Sequence, residues 1–361
     1  MYKTAPMEKQ LLCKIQISFV PQYINTKKSP SFSSAHIEMR PLSYFLPFSN
    51  KPNFNPLTDI PDLSRRVCLV TGGNSGLGEA TLAALAQHNP QKLYLGARSR
   101  PRAEAAVARI RATLKAAEKA NIEILDLDLS SFESVKAAAA KVNLEAERLD
   151  VLQLNAGIGL VPYATSTDGY ETQFATNYLG HALLTQLLLP KLLQTAARPD
   201  SDVRVVAVSS ALHSRAAPEG ILFDELKTSM ANRDGVTLYA QAALAKTLFA
   251  HELAKRYPQI KSVSLQPGGV RTGIWDGEKV VHWLPWYFVV RPIVWLTGVS
   301  SEEGAKTQLW CSFSEDVESG RYYQPIGQPG EEGKLTRDNA LAAKLWDWTT
   351  GVLQGSGSQW P

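Results

Sequence analysis

A short apolar run, Val67-Cys-Leu-Val70, passes directly into Thr71-Gly-Gly-Asn-Ser-Gly-Leu-Gly78, and helical periodicity begins at Glu79. A glycine-rich turn between a strand and a helix constrains a fold more than any other feature of this chain. Glycines let the backbone reverse within a few residues and approach a ligand closely. The N-terminus of the next helix then favours a negative charge, and a pyrophosphate is the common occupant of such a turn. The spacing here, Gly72, Gly76 and Gly78, differs from G-x-G-x-x-G. A turn of this kind can also serve structure alone, so the reading needs a strand before it and a helix behind it.

The chain beyond the turn supplies that context. Apolar runs at Lys92–Gly96, Ile122–Leu127, Val151–Leu154, Val203–Val208 and Lys261–Leu265 predict strands. Between them, Arg102–Ala120, Ser134–Val142, Phe174–Gln194 and Tyr239–Tyr257 predict helices. Strands alternating with helices of ten or more residues mean βαβ units and a parallel sheet. The predicted fold is α/β, a single Rossmann-type doubly wound sheet with helices on both faces. One domain over about residues 62–330 accommodates the pattern, and the amphipathic stretch Asn339–Leu353, within a tail of 331–361, predicts a helix that caps the core.

Residues 1–61 read differently. Prolines recur at 41, 47, 52, 56 and 61, no period persists, and an irregular extension is expected. Before Glu38 the sole acid is Glu8, against five lysines, which resembles a transit peptide weakly because no arginine precedes Arg40. A natural start at Met39 is the plainer alternative. The rest of the composition excludes several classes. With 44% hydrophobic and 20% charged residues the chain is neither largely disordered nor a coiled coil. A net charge of +4, spread along the sequence, argues against nucleic acid as a partner. Cys13, Cys68 and Cys311 are too few and too far apart for a disulfide framework, which suits a cytoplasmic protein. The six histidines lack ligand spacing, so no metal site is expected.

The second strand runs into Gly96-Ala-Arg98-Ser-Arg100, and Arg98 lies twenty residues beyond Gly78. An acidic residue at this place would hold a ribose 2′-hydroxyl, whereas an arginine accommodates a 2′-phosphate. NADP(H) is therefore the expected cofactor, with a solvated basic loop as the plain alternative.

Taken together, the motifs resemble the short-chain dehydrogenase/reductase family over about residues 65–325. The TGxxxGxG turn is Thr71–Gly78, the acidic position after the third strand is Asp128-Leu129, and the NAG motif is Asn155-Ala-Gly157. Asn177 matches in Asn177-Tyr-Leu-Gly180, Ser210 in the pair Ser209-Ser210, and Tyr239 as the tyrosine. Pro267-Gly-Gly-Val-Arg-Thr272 matches PGxVxT. Val208-Ser-Ser-Ala-Leu-His213, Tyr239-Ala-Gln241, Ser301-Glu-Glu-Gly-Ala-Lys-Thr307 and Ser319-Gly-Arg-Tyr322 are similar to the retinol dehydrogenase and WW-domain oxidoreductase branch, which includes fungal secondary-metabolism reductases. All eight tryptophans lie at or beyond Trp275, so there is no WW domain.

The resemblance implies hydride transfer between a nicotinamide and a carbonyl or alcohol carbon. It implies Tyr239 as proton donor or acceptor, Ser210 as stabiliser of the reacting oxygen, and Asn177 as organiser of a water chain. It implies cofactor contacts from Gly72, Gly76, Leu77, Gly78, Asp128, Asn155, Tyr239, Val270 and Thr272, beside Arg98.

One position departs from the family pattern. A lysine belongs four residues after the tyrosine, and Ala243 stands there, while Leu244-Ala245 and Leu248-Phe249-Ala250 keep the register. In the family that lysine lowers the tyrosine pKa and binds the nicotinamide ribose. An ordinary tyrosine titrates near about 10, so its loss should harm alcohol oxidation more than carbonyl reduction. Lys246 lies on nearly the same helical face as Tyr239, but seven residues rise about 10 Å. Helical side chains lean towards the N-terminus, so substitution for the missing lysine is one reading of Lys246, and a solvated helix lysine is the plain one. An alternative to enzymatic action is thus a catalytically impaired NADP(H)-binding homologue.

Segment 273–300 is dense in Trp, Tyr, Phe and Val, which in this family covers the substrate and implies an apolar small molecule. Pro285, Arg291 and Pro292 break it, so it is no membrane span. Peripheral contact with a membrane surface and packing in a homo-oligomer both stay open for its aromatic residues.

Overall fold

A computed structural model of the chain describes residues 52–114, 120–230, 232–271, 298–330 and 333–361. The first 51 residues, Thr272, nearly all of the expected substrate cover and the end of the helix expected over Arg102–Ala120 lie outside them.

A four-residue helix, α1 (Pro56–Asp59), with Asn55 capping it through its side chain, leads into β1 (Val67–Thr71). Every residue of β1 is buried, and its side chains alternate between two cores. Val67 and Leu69 face one, Cys68 and Val70 the other. A strand apolar on both sides has to be covered on both faces. The Cys68 side is covered by α2 (Gly76–Ala86), α3 (Arg100–Thr113) and α8 (Ser301–Phe313). The Leu69 side is covered by α4 (Phe132–Glu145), α6 (Gly180–Ala196), α7 (Gly235–Arg256) and α9 (Asn339–Gly355).

The remaining strands are β2 (Lys92–Ala97), β3 (Ile122–Asp126), β4 (Val151–Leu154), β5 (Arg204–Val208), β6 (Lys261–Leu265), β7 (Tyr322–Gln324) and β8 (Gln328–Pro329). They form one sheet in the order β3-β2-β1-β4-β5-β6-β7-β8. All pairings are parallel except β7 with β8. The order reverses between β1 and β4, and in such a sheet the crevice outside the strand ends at that reversal receives ligands. The doubly wound expectation holds. The sequence pattern missed β7 and β8, which are too short to carry a period of their own.

One expected helix differs in detail. The stretch expected as one helix over Phe174–Gln194 is a single turn, α5 (Thr172–Phe174), then a π-helical turn over Ala175–Leu179, then α6. The widened turn has a local cause: the Asn177 side chain accepts from Ile158 N at 2.9 Å and donates to Ile158 O at 2.8 Å, which draws it towards the loop after β4. The tail does form a helix, α9. Leu341, Leu345 and Leu353 are buried on it, each contributing about 2 kcal/mol through apolar burial. The Tyr178 and Thr349 hydroxyls meet at 2.6 Å. The Trp346 ring stacks on Phe249 at 5.8 Å and on Trp360 at 4.3 Å. Among the described residues no helix is long and apolar enough to cross a membrane.

Candidate active site

Thr71, the last residue of β1, ties the reversal point together. Its hydroxyl accepts from the backbone N–H groups of Asn155 and Ala156, both at 2.9 Å. Asn155 returns a bond from its side-chain amide to Thr71 O at 2.8 Å. The Asn155 side chain thus faces the β1 end and holds the two strand ends against each other. His181 on α6 completes this knot. Its Nδ1 bonds Asn177 O and its Nε2 bonds the Thr71 hydroxyl, both at 2.9 Å. A carbonyl only accepts, so Nδ1 carries the proton and Nε2 accepts from Thr71. Burial, aided by the charge of Lys246, holds the His181 pKa well below its ordinary value, and the ring is neutral. Sequence reasoning missed His181. Nothing in the local pattern distinguishes it from a histidine packed in a helix face.

The glycine turn has the shape that close backbone approach requires. Gly72 takes φ +70° and Gly76 φ +54°, both in the left-handed region. A Cβ on Gly78 would lie 2.6 Å from Asn155 Nδ2, so only glycine fits between the turn and the loop after β4. Leu77 packs with Val270 around Gly304 of α8. The N-cap residue of α2, Ser75, makes no side-chain cap bond, which leaves first-turn N–H groups for an anion. The acid in that first turn, Glu79, is paired with Arg109 at 2.6 and 2.7 Å, so its charge is offset. These residues fit a dinucleotide's phosphates.

At the end of β2 the two arginines diverge. Arg100 is bound to Asp126 at 2.5 Å. Arg98 is exposed and forms no ion pair with a described residue. Asp128 turns its carboxylate into its own loop, accepting from Ser130 N at 2.9 Å and the Ser130 hydroxyl at 2.6 Å.

The chemistry-bearing side chains converge beyond β5. The Ser210 side chain lies beside the Tyr239 hydroxyl; burial pushes the Tyr239 pKa up, and Ser210 opposes the rise. Ser210 Oγ accepts from Leu212 N at 3.2 Å, which fixes it at the mouth of a short 3-10 turn over Ala211–Arg215. Asn177 instead sits against the loop after β4, with its side chain bonded to Ile158 and its carbonyl to His181. Val270 is buried and pairs in parallel with Val299, which pins the two ends of the 272–297 segment side by side. Thr272 itself lies outside the described residues.

Lys246 corrects the expectation of a solvated lysine. It is 3% exposed. Its Nζ donates to Leu154 O at 2.7 Å, Val208 O at 2.9 Å and Ala156 O at 3.4 Å. Burial pushes its pKa down to about 7. A sequence signal existed. Most of α7 from Leu238 to Leu253 is apolar on every side, and a helix apolar all round is buried all round. A lysine inside such a stretch has to find partners in the interior.

Comparison with known proteins agrees with this geometry. Residues 66–223 match the family model described as short chain dehydrogenase. A short-chain dehydrogenase/reductase of Armillaria gallica is 36% identical over 308 residues, covering 83% of this chain and 94% of the relative. Retinol dehydrogenase 14 of Homo sapiens is 36% identical over 302 residues, covering 78% and 84% respectively. Among solved structures, an uncharacterized protein from Mycobacterium paratuberculosis superposes with a TM-score of 0.62 at 27% identity, covering 84% of this chain and 98% of that one. The NADPH-bound carbonyl reductase from chicken fatty liver shares the fold, with a TM-score of 0.53 at 23% identity over 74% of this chain and 98% of that one.

Proposed function

Because the chain belongs to the short-chain dehydrogenase/reductase family, in its retinol dehydrogenase-like branch, we propose that it is an NADP(H)-dependent oxidoreductase that reduces a carbonyl on an apolar small molecule. The observation that carries this reading is the Ser210 side chain beside the Tyr239 hydroxyl just beyond β5, in a chain whose glycine turn leads into an uncapped helix N-terminus. NADPH supplies the hydride when bound. Gly72, Gly76, Leu77 and Gly78 would hold its pyrophosphate, Arg98 its 2′-phosphate, and Asp128, Asn155, Val270 and Thr272 would line the rest of its cleft.

Each protein group then has one task. Ser210 donates a hydrogen bond to the carbonyl oxygen and stabilises its developing negative charge. Tyr239 gives that oxygen a proton. Because burial pushes the Tyr239 pKa up and position 243 carries no cation, the phenol stays protonated at neutral pH. A protonated phenol is the form that reduction uses, and alcohol oxidation requires the other. Asn177 fixes the loop at Ile158 that borders this site. The aromatic residues of segment 273–300 favour an apolar substrate.

Ala243 favours a second reading, a protein that binds NADP(H) without turning it over. Two measurements separate the readings: fluorescence titration with NADPH and NADH, then NADPH oxidation across a panel of apolar ketones and aldehydes. The proposal expects tighter NADPH binding and consumption of at least one carbonyl. In Arg98→Asp the preference for NADPH should fall by about tenfold or more, the weight of a charge-assisted hydrogen bond. Tight binding without turnover would favour the second reading, and failure to bind either nucleotide would end both.

A further inference from the structure

Lys246 is the one side chain of α7 that, among the described residues, bonds the ends of both β4 and β5. Leu154 O and Ala156 O flank Asn155, on the floor of the cleft. Val208 O is two residues before Ser210. We infer that Lys246 is a positioning residue, an amine clamp that fixes the Ser210 strand end against the Asn155 strand end.

The geometry favours a clamp over incidental burial. The amine is a donor group, and three backbone carbonyls converge on it at 2.7, 2.9 and 3.4 Å. Among the described residues no carboxylate pairs with it, and the titratable group that its charge acts on is His181, which is neutral and already committed to Thr71 and Asn177. A buried lysine without a counter-ion is costly, and a leucine or methionine would fill the same volume without that cost. The β5 end has a further tie to α7, through the Ser209 hydroxyl to Ala243 O at 2.8 Å and the Thr247 hydroxyl to Ser209 Oγ at 3.1 Å. Among the described residues the β4 end has Lys246 as its one hydrogen-bond donor from this helix. Removing the amine therefore frees β4 relative to α7, and with it the spacing between cofactor floor and proton donor. The catalytic part of this inference rests on the proposed carbonyl reduction, while the clamp itself does not.

Lys246→Met and Lys246→Gln test it against the wild-type protein, with hydrogen exchange and steady-state kinetics as readouts. Lys246→Met should raise amide exchange in Asn155–Ile158 and Ser209–His213 while β2 keeps its protection. It should lower kcat by about tenfold to a hundredfold, the cost of sub-ångström misplacement, with the carbonyl KM and NADPH affinity unchanged. Lys246→Gln, whose amide keeps two N–H donors, should fall between the two. Exchange at both strand ends that matches the wild type in either folded variant overturns the clamp. Unchanged kcat beside raised exchange overturns its role in positioning. A wild-type protein that neither binds nor oxidises NADPH counts against the function alone, because exchange still decides the clamp.

Discussion

Gly72→Ala tests how tightly the glycine turn and the loop after β4 are packed. It combines two costs. At φ +70° a side chain is strained by about 1–2 kcal/mol. The new Cβ would also lie 2.9 Å from Ala156 Cα and 3.0 Å from Ala156 Cβ. Carbon atoms prefer about 3.5–4.0 Å, so the Asn155–Gly157 segment has to yield. Overpacking of that kind costs about 1–3 kcal/mol more. Gly169 isolates the first cost, because its φ is +82° and nothing lies within 4 Å of a Cβ there. Gly169→Ala should therefore lose only the backbone share, about 1–2 kcal/mol. The assay is chemical unfolding of the three proteins, with NADPH titration of each. Gly72→Ala should be the less stable variant and should bind NADPH more weakly, while Gly169→Ala binds as the wild type does. Equal destabilisation with equal NADPH affinity would refute the close approach.

Tyr239→Phe removes the proton donor and keeps the ring, so turnover should drop by about a hundredfold to ten-thousandfold with NADPH affinity retained; near-normal reduction would sink the assignment. Ala243→Lys places a cation one helical turn beyond Tyr239 and should lower the phenol's pKa. Alcohol oxidation should then rise at neutral pH, and an unchanged rate would count against the site as assembled. The Lys246 amine also predicts a pH dependence of stability. Its pKa is pushed from 10.5 to about 7 on folding, so between those values the unfolded chain holds a proton that the folded chain lacks. Stability from this group rises with pH through that window, by at most about 5 kcal/mol. Lys246→Met should lack that rise, and parallel stability curves from pH 7 to pH 10.5 for the two proteins would refute it.

The legible parts of the fold were those that the period of the chain writes directly. Val67–Val70 reads as a strand buried on both faces because four apolar residues stand in a row before a turn. Tyr322–Gln324 carries no such mark, and its pairing with Ser264 and Leu265 is a tertiary fact. The helix over Phe174–Gln194 has an unbroken apolar period, but the π turn inside it comes from Asn177 meeting Ile158, a residue nineteen positions earlier. At the site, Ser210 and Tyr239 were legible as a pair in chain order, and their side chains lie side by side. For Lys246 only the burial was legible and for His181 nothing was, because their partners are backbone carbonyls and a hydroxyl brought together by strands distant in sequence.

The covering of the α6–α7 flank has a consequence for how the chain matures. Tyr178 and Phe249 are shielded by Thr349, Trp346 and Trp360, which are synthesised well after them. Until those late residues emerge, a growing polypeptide holds an aromatic, leucine-rich surface bare to water, the kind of surface on which nascent chains associate. A premature stop before Asn339 would make that transient hazard permanent, so loss of the last helix should register first as poor recovery of protein from the cell rather than as a damaged catalyst.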